Sequence, residues 1–190
     1  MGSSVMEGAA FLLFVVGVLV YIIILYNELV RLRNDNDRAW ANIDVLLKQR
    51  RDEIPNLVET VKGYAKHEET VFADIANARA GLLNAKTPQD KMQANGQLDG
   101  ALGRLLALSE AYPDLKANAN FQQLASELSD LENKIAASRR FFNNAVQEYN
   151  TGIQQMPAAL FAGMFGFTRK DFFDLGASRT EVEQAPTVKF

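Results

Sequence analysis

The chain has 190 residues, 48% of them hydrophobic and 23% charged, with a formal net charge of -3 and no cysteine. A mildly acidic balance gives no electrostatic footprint for nucleic acid. The lack of cysteine excludes disulfides, thiolate metal sites and thiol nucleophiles, and suits a reducing compartment.

The first element is Ala9 to Tyr26, AAFLLFVVGVLVYIIILY, which holds no charged residue. At 1.5 Å per residue, roughly 18 to 20 such residues cross the ~30 Å hydrocarbon core of a bilayer. A helix on a soluble domain needs a polar face, and this one has none. Residues 1–8 carry no Lys or Arg, and Tyr26-Asn27-Glu28 is not a small-x-small cleavage site. The stretch therefore reads as an uncleaved transmembrane anchor, not as a signal peptide or core helix. Met6 stands where an N-myristoylation signal requires Ser or Thr. Arg31, Arg33 and Arg38 follow the span and no basic residue precedes it. The positive-inside rule then puts residues 1–8 outside and the bulk of the chain in the cytoplasm.

From Asn27 onward apolar residues recur at helical spacing. Ile43, Leu47, Ile54, Leu57, Val58, Val61, Tyr64, Val71, Phe72, Ile75, Ala78 and Leu82 keep one phase. Pro55 interrupts this run, and a proline inside a helix costs ~3 kcal/mol. The stripe nevertheless resumes on the same face. The expectation is one long helix to about Leu83, bent near Pro55, with a hairpin at Pro55 as the alternative. Asn84-Ala85-Lys86-Thr87-Pro88 is the first clear turn, with Thr87 as N-cap and Pro88 at the first helical position. A second helix follows, with Met92, Leu98, Leu102, Leu105 and Leu106 inward. Gly96, Gly100 and Gly103 weaken it by up to ~1 kcal/mol each, and serve either close helix approach or flexibility. It ends at Ala111-Tyr112-Pro113-Asp114.

The third helix, about Asn118 to Gln154, has the cleanest pattern. Phe121, Leu124, Leu128, Leu131, Ile135, Ser138, Phe142, Ala145, Tyr149 and Ile153 alternate steps of three and four. Such a heptad seam buries itself against other helices, as in a coiled coil. The fold class is thus all-α: one N-terminal transmembrane helix continuing into an antiparallel bundle of three long helices, or four if the first breaks at Pro55. The expected domains are the extracytoplasmic residues 1–8, the span 9–26, the bundle 27–155, an aromatic amphipathic segment 156–175 and a polar, mobile tail 176–190.

Ordered blocks along the chain resemble the LemA family of bacterial membrane-anchored proteins. They include Tyr26-Asn27-Glu28-Leu29-Val30, Ala39-Trp40 with Ile43-Asp44, and Ile54-Pro55-Asn56-Leu57-Val58 leading to Val61-Lys62-Gly63-Tyr64-Ala65 and His67-Glu68. Glu110-Ala111-Tyr112-Pro113-Asp114-Leu115-Lys116-Ala117-Asn118, Asn120-Phe121, Glu132-Asn133, Ile135-Ala136, Arg139, Phe142-Asn143, Tyr149-Asn150, Pro157 and Phe165-Gly166-Phe167 continue the series. The resemblance covers about residues 10 to 173, and the last six residues also look like the family ending. Phe142 stands where the family pattern has Tyr, which keeps the ring and drops a hydroxyl. The resemblance implies a helical bundle behind one transmembrane helix at the bacterial inner (cytoplasmic) membrane, with no established enzymatic activity and no catalytic residues to carry over.

No catalytic constellation emerges from the residues themselves. His67 is the only histidine, and a di-metal bundle site needs paired Glu-x-x-His sets. No Ser has a nucleophile-elbow context, and Gly96, Gly100 and Gly103 lack the preceding strand of a phosphate-binding loop. No catalytic residue, cofactor, metal or small-molecule substrate is therefore expected. Lys48, Arg50, Arg51, Asp52 and Glu53 read as a solvated helix face. Arg139, beside the seam, is placed to pair with a carboxylate of the first helix or to specify register. Trp40, roughly 21 Å along a helix from Tyr26, reads as a packing anchor.

The functional candidate is the segment AALFAGMFGFTRKDFF from Ala158 to Phe173. Phe161, Met164, Phe165, Phe167, Arg169, Lys170, Phe172 and Phe173 are its membrane- or partner-contact candidates, by analogy with amphipathic interfacial segments. Docking on its own bundle, on another subunit or on lipid are the open readings. A straight first helix would leave the third helix ending far from the bilayer. A sharp bend at Pro55 would bring the segment back. The expected function is a non-enzymatic membrane-anchored scaffold, held in lipid through residues 9–26, that forms a homo-oligomer or recruits other membrane proteins. The alternative is membrane remodelling or lipid sensing through the Phe-rich segment.

Overall fold

A computed structural model describes residues 2–173, with side chains from Met6 onward. The polar tail 176–190 and the end of the aromatic segment lie outside the described residues. The elements are α1 (Gly2–Lys62), α2 (Glu69–Asn84), α3 (Pro88–Leu108), α4 (Pro113–Lys116), α5 (Ala119–Gly152) and α6 (Ala158–Ala162). There is no strand among the described residues, and the fold is all-α.

The first long helix ends earlier than its apolar phase suggests. α1 runs through Pro55 and stops at Lys62, and residues 63–68 form a turn before α2. A proline offers no N–H to the carbonyl four residues before it, here that of Arg51. Arg79, from α2, donates its Nε–H to that carbonyl at 3.4 Å. The pyrrolidine ring itself is exposed. Pro55 is therefore tolerated because its side faces solvent and its orphaned acceptor has a partner. The real stop carries Gly63, the weakest helix former after proline, with Tyr64 and Ala65 closing a turn onto the Val61 carbonyl at 3.0 and 2.9 Å. The stripe keeps its phase across the break because Leu57 and Val61 of α1 and Phe72 and Ile75 of α2 enter the same core.

The chain divides into two compact units. The larger comprises Trp40–Arg140 with Phe173. Its core gathers Ile54, Leu57 and Val61 with Ile75, Leu98, Leu105, Leu115, Phe121 and Leu128, each full burial contributing about 1.5–3 kcal/mol. Lys91 pairs with Asp44 and Arg50 with Asp99, so α3 runs parallel to α1. Asn118 bonds Tyr64 at 2.9 Å and Arg50 meets Glu132 at 2.8 Å, so α5 runs antiparallel to α1. This unit is an up-down-up-down arrangement of four helices, with α4 a single turn between the last two. Thr87 caps α3 as the sequence predicts, in a reciprocal capping box with Asp90. Asp90's carboxyl is held below its usual range by the Thr87 hydroxyl and backbone. A Cβ at Gly96, Gly100 or Gly103 would meet nothing within 4 Å, so close approach is not their role.

Arg50 corrects the solvated reading of its charged run. Ile43, Leu47, Arg50, Ile54, Leu57 and Val61 fall on one core-facing line, and Arg50 is only 5% exposed. Its guanidinium pairs with Asp99 and reaches Glu132 at 2.8 Å and the Asn95 side-chain oxygen at 3.3 Å. Arg139 joins the cluster at 3.5 Å from Asp99 and 3.9 Å from Glu132. Its long-range partner is thus a carboxylate of α3, not of the first helix. Two cations, one of them buried, thus meet two partly exposed carboxylates, Asp99 of α3 and Glu132 of α5. Phe173 is buried against Trp40, with ring centroids 6.3 Å apart, and the Arg139 guanidinium lies 4.8 Å from its ring. Trp40 is a packing residue, as its sequence position suggests.

Candidate membrane-proximal site

The smaller unit comprises α1 up to Ala39 together with Phe141–Phe172. Among the described residues, α1 alone carries a stretch long and apolar enough to cross a membrane, and none of that stretch is buried. Phe11 and Ile24, for example, are 69% and 58% exposed. Past that stretch, α5 lies against α1. Gly152 permits this, since a Cβ there would fall 2.7 Å from a Leu32 methyl and 3.6 Å from one of Leu29. Leu29, Tyr149 and Ile153 then form a small core with Ala158, Ala162 and Phe167. The end of α5 therefore lies beside the helix segment that follows the apolar stretch, with no bend at Pro55 needed to bring it there.

After α5 the chain makes a cis Met156–Pro157 peptide and enters α6. Gly166, at φ 73°, takes a backbone conformation that side-chain-bearing residues disfavour. It lets the Phe167 N–H return to the Ala162 carbonyl at 2.9 Å. The two flanking phenylalanines consequently part company: Phe167 is 4% exposed and Phe165 41%. Both rings meet Tyr26 edge-on, at 5.2 Å for Phe165 and 5.7 Å for Phe167. Arg33 lies 5.3 Å from the Phe167 ring.

The residues that follow are held through their backbone. Asn150 accepts from the Lys170 N–H at 2.9 Å and donates to the Lys170 carbonyl at 2.8 Å. The Tyr149 hydroxyl donates to the Thr168 carbonyl at 2.9 Å. Burial pushes the Tyr149 phenol above its ordinary pKa, with Asp37 adding to the rise and Arg33 opposing it. The Lys170 ammonium pairs with Asp37 and donates to Asn36 at 3.3 Å. Nearer the span, Arg31 hydrogen-bonds Glu28 and holds its carboxyl below the usual range, while its own pKa rises.

The eight contact candidates from the sequence therefore divide. Phe167 and Phe173 are buried, and Phe161 and Lys170 are half-buried. Met164, Phe165, Arg169 and Phe172 are exposed. Sequence reasoning missed Leu160, 63% exposed on α6, and the residues that hold the segment: Tyr26, Tyr149 and Asn150. A signal existed, since asparagine is disfavoured inside a helix unless its amide bonds elsewhere. Beside the α1–α5 contact opens a cleft of about 660 Å³ with Leu25, Leu29, Leu32 and Met156 on its apolar side and Gln147 and Thr151 on its polar side. Its size lies within the small-ligand range. Among the described residues no group of three or more His, Asp or Glu is close enough to hold a metal ion. His67 lies exposed in the α1–α2 turn.

A family model described as the LemA family matches residues 39–190. The chain belongs to the LemA family. Among LemA-family relatives, magnetosome protein MamQ of Magnetospirillum gryphiswaldense is 26% identical over 174 residues, covering 78% of this chain and 64% of that protein. Magnetosome protein MamQ 2 of Paramagnetospirillum magneticum is 25% identical over 185 residues, covering 84% and 68%. Protein LemA of Metamycoplasma hominis is 30% identical over 128 residues, covering 67% and 58%. This LemA-family chain thus spans 64% of the length of the first of these relatives and 58% of the last.

Proposed function

We propose that this LemA-family protein is a non-enzymatic, membrane-anchored scaffold. Residues 9–26 lie in the bacterial inner membrane, residues 1–8 face outward, and the helical bundle stands in the cytoplasm. There it self-associates or recruits other membrane proteins, with the anchor confining it to two dimensions. The observation that carries the reading is an apolar stretch with no buried residue that runs without a break into the rest of α1. Arg31, Arg33 and Arg38 on one side of the span support the orientation. The magnetosome names of two relatives support work at a membrane-bounded structure.

Alkaline carbonate extraction tests the anchor, and release of the intact chain into the wash would defeat it. Cross-linking in native membranes tests the scaffold. Adducts larger than one chain are expected, and monomers alone at native abundance would reject self-association and recruitment together. A second reading, action on lipid through the Phe-rich segment, is favoured by the exposure of Leu160, Met164 and Phe165.

A further inference from the structure

We infer that, given α1 anchored as proposed, Leu160, Met164 and Phe165 insert into the headgroup–acyl boundary of the same bilayer, making α6 and the turn after it a second membrane contact that does not span. These side chains are 63%, 77% and 41% exposed, yet they belong to a segment that is otherwise firmly held. Phe167 lies in the small core, and Asn150 grips the Lys170 backbone from both sides. The exposed trio is therefore not the loose side of an undocked tail.

Its level relative to the bilayer follows from one contact. Tyr26 is the last residue of the apolar stretch, where an aromatic ring with a polar tip sits at the membrane–water boundary. The Phe165 ring is 5.2 Å from it, edge to face. The exposed patch, through Phe165, thus adjoins the point where the proposed span leaves the hydrocarbon, and this half-exposed ring continues the apolar surface of α1 there. Lipid is the occupant this continuity selects, because lipid must already cover the adjoining helix. Arg169, exposed a few residues on, supplies the cationic flank common to interfacial segments.

The chain has no cysteine, so single-cysteine variants report on single positions. The full-length variants L160C and M164C are labelled with an environment-sensitive dye in vesicles of phosphatidylcholine and phosphatidylglycerol. F11C, within the span, and F141C, 61% exposed on α5, serve as comparisons. Nitroxide-bearing lipids are expected to quench the labels at 160 and 164 several-fold more than F141C, with aqueous iodide quenching them several-fold less. Iodide quenching equal to that of F141C, without lipid quenching, overturns the inference. So does protection from both quenchers that disappears when the protein is diluted among empty vesicles, since a second copy would then be the occupant. Lipid quenching of F11C reports the anchor separately, and its loss would bring down the anchored reading as well.

Discussion

The Nε–H of Arg79 donates to the carbonyl of Arg51, 3.4 Å away, and so occupies the acceptor that Pro55 leaves empty. The two residues come from α2 and α1, and Arg51 stands four positions before the proline. Arg79→Met should cost about 1 kcal/mol, the worth of a modest hydrogen bond. In a Pro55→Ala background the helix supplies its own N–H, and the same substitution should cost much less. Urea unfolding of the four proteins in detergent measures the coupling. Equal costs in both backgrounds would contradict the assignment.

The buried ionic cluster gives a second prediction. Arg50→Ala removes a 5% exposed cation and its packed stem from between Asp99 and Glu132. A loss of about 2–4 kcal/mol is expected, less than for fully enclosed pairs because both carboxylates are partly exposed. Arg50→Met keeps most of the apolar stem and leaves Arg139 beside the carboxylates, so it should lose distinctly less. Denaturant midpoints for the two variants decide the ranking.

Asn150→Ala should free the backbone at Lys170 without disturbing α2. The amide hydrogen of Lys170 should then exchange with solvent at least ~10-fold faster, since an N–H and a carbonyl lose their partners together at about 1–3 kcal/mol. Hydrogen exchange followed by mass spectrometry reads this directly, with peptides from α2 as the unchanged reference.

Gly152 is predicted to accept alanine but not a branched side chain. The atom a new Cβ would meet is the end of a half-buried leucine, Leu32, which can rotate. Gly152→Ala should therefore lie within about 1 kcal/mol of the parent, helped by helix propensity. Gly152→Ile should destabilise through overpacking by about 1–3 kcal/mol, and Leu32→Ala should recover part of that loss. Thermal midpoints of the single and double variants test the pairing.

The Tyr149 phenol titrates above its ordinary value because it is buried, so the folded state retains a proton that the unfolded chain releases. Stability from this group is intact below the ordinary phenol pKa of about 10. It declines as pH rises from there through the higher folded value. Tyr112 adds to the same trend, its phenol raised by its hydrogen bond to Glu68. Tyr149→Phe should flatten the alkaline fall in stability, and unfolding measured between pH 8 and 11 follows it.

Much of the architecture was legible because periodicity reports burial. Phe121, Leu128, Leu131, Ile135, Phe142, Tyr149 and Ile153 of the predicted seam are buried, and α5 has nearly the expected bounds. The turn after α1 was not legible, since an unbroken apolar phase is also what two helices lining one core produce. Pro55 is a poorer guide to the helix end than Gly63, because a proline's cost depends on whether its orphaned carbonyl finds a donor, and that donor lies 28 residues on. Arg50 looked like surface because its neighbours are charged, although its place in the three-four alternation marked it as inward. The candidate site was visible only as composition. Which phenylalanines turn inward depends on Gly166 and on hydrogen bonds to the backbone, and backbone bonds leave little trace in side-chain pattern.

The pair of edge-on contacts made by Tyr26 has one more effect. A lone helix in a lipid sheet can spin about its long axis at little energetic expense. With Phe165 and Phe167 both engaged on one side of the rod, turning the rod against the segment that carries them would pull three rings apart, so its azimuth relative to that segment is set. If the chain self-associates as proposed, the flank of the rod turned away from those rings would be the one offered to a neighbouring rod in the sheet.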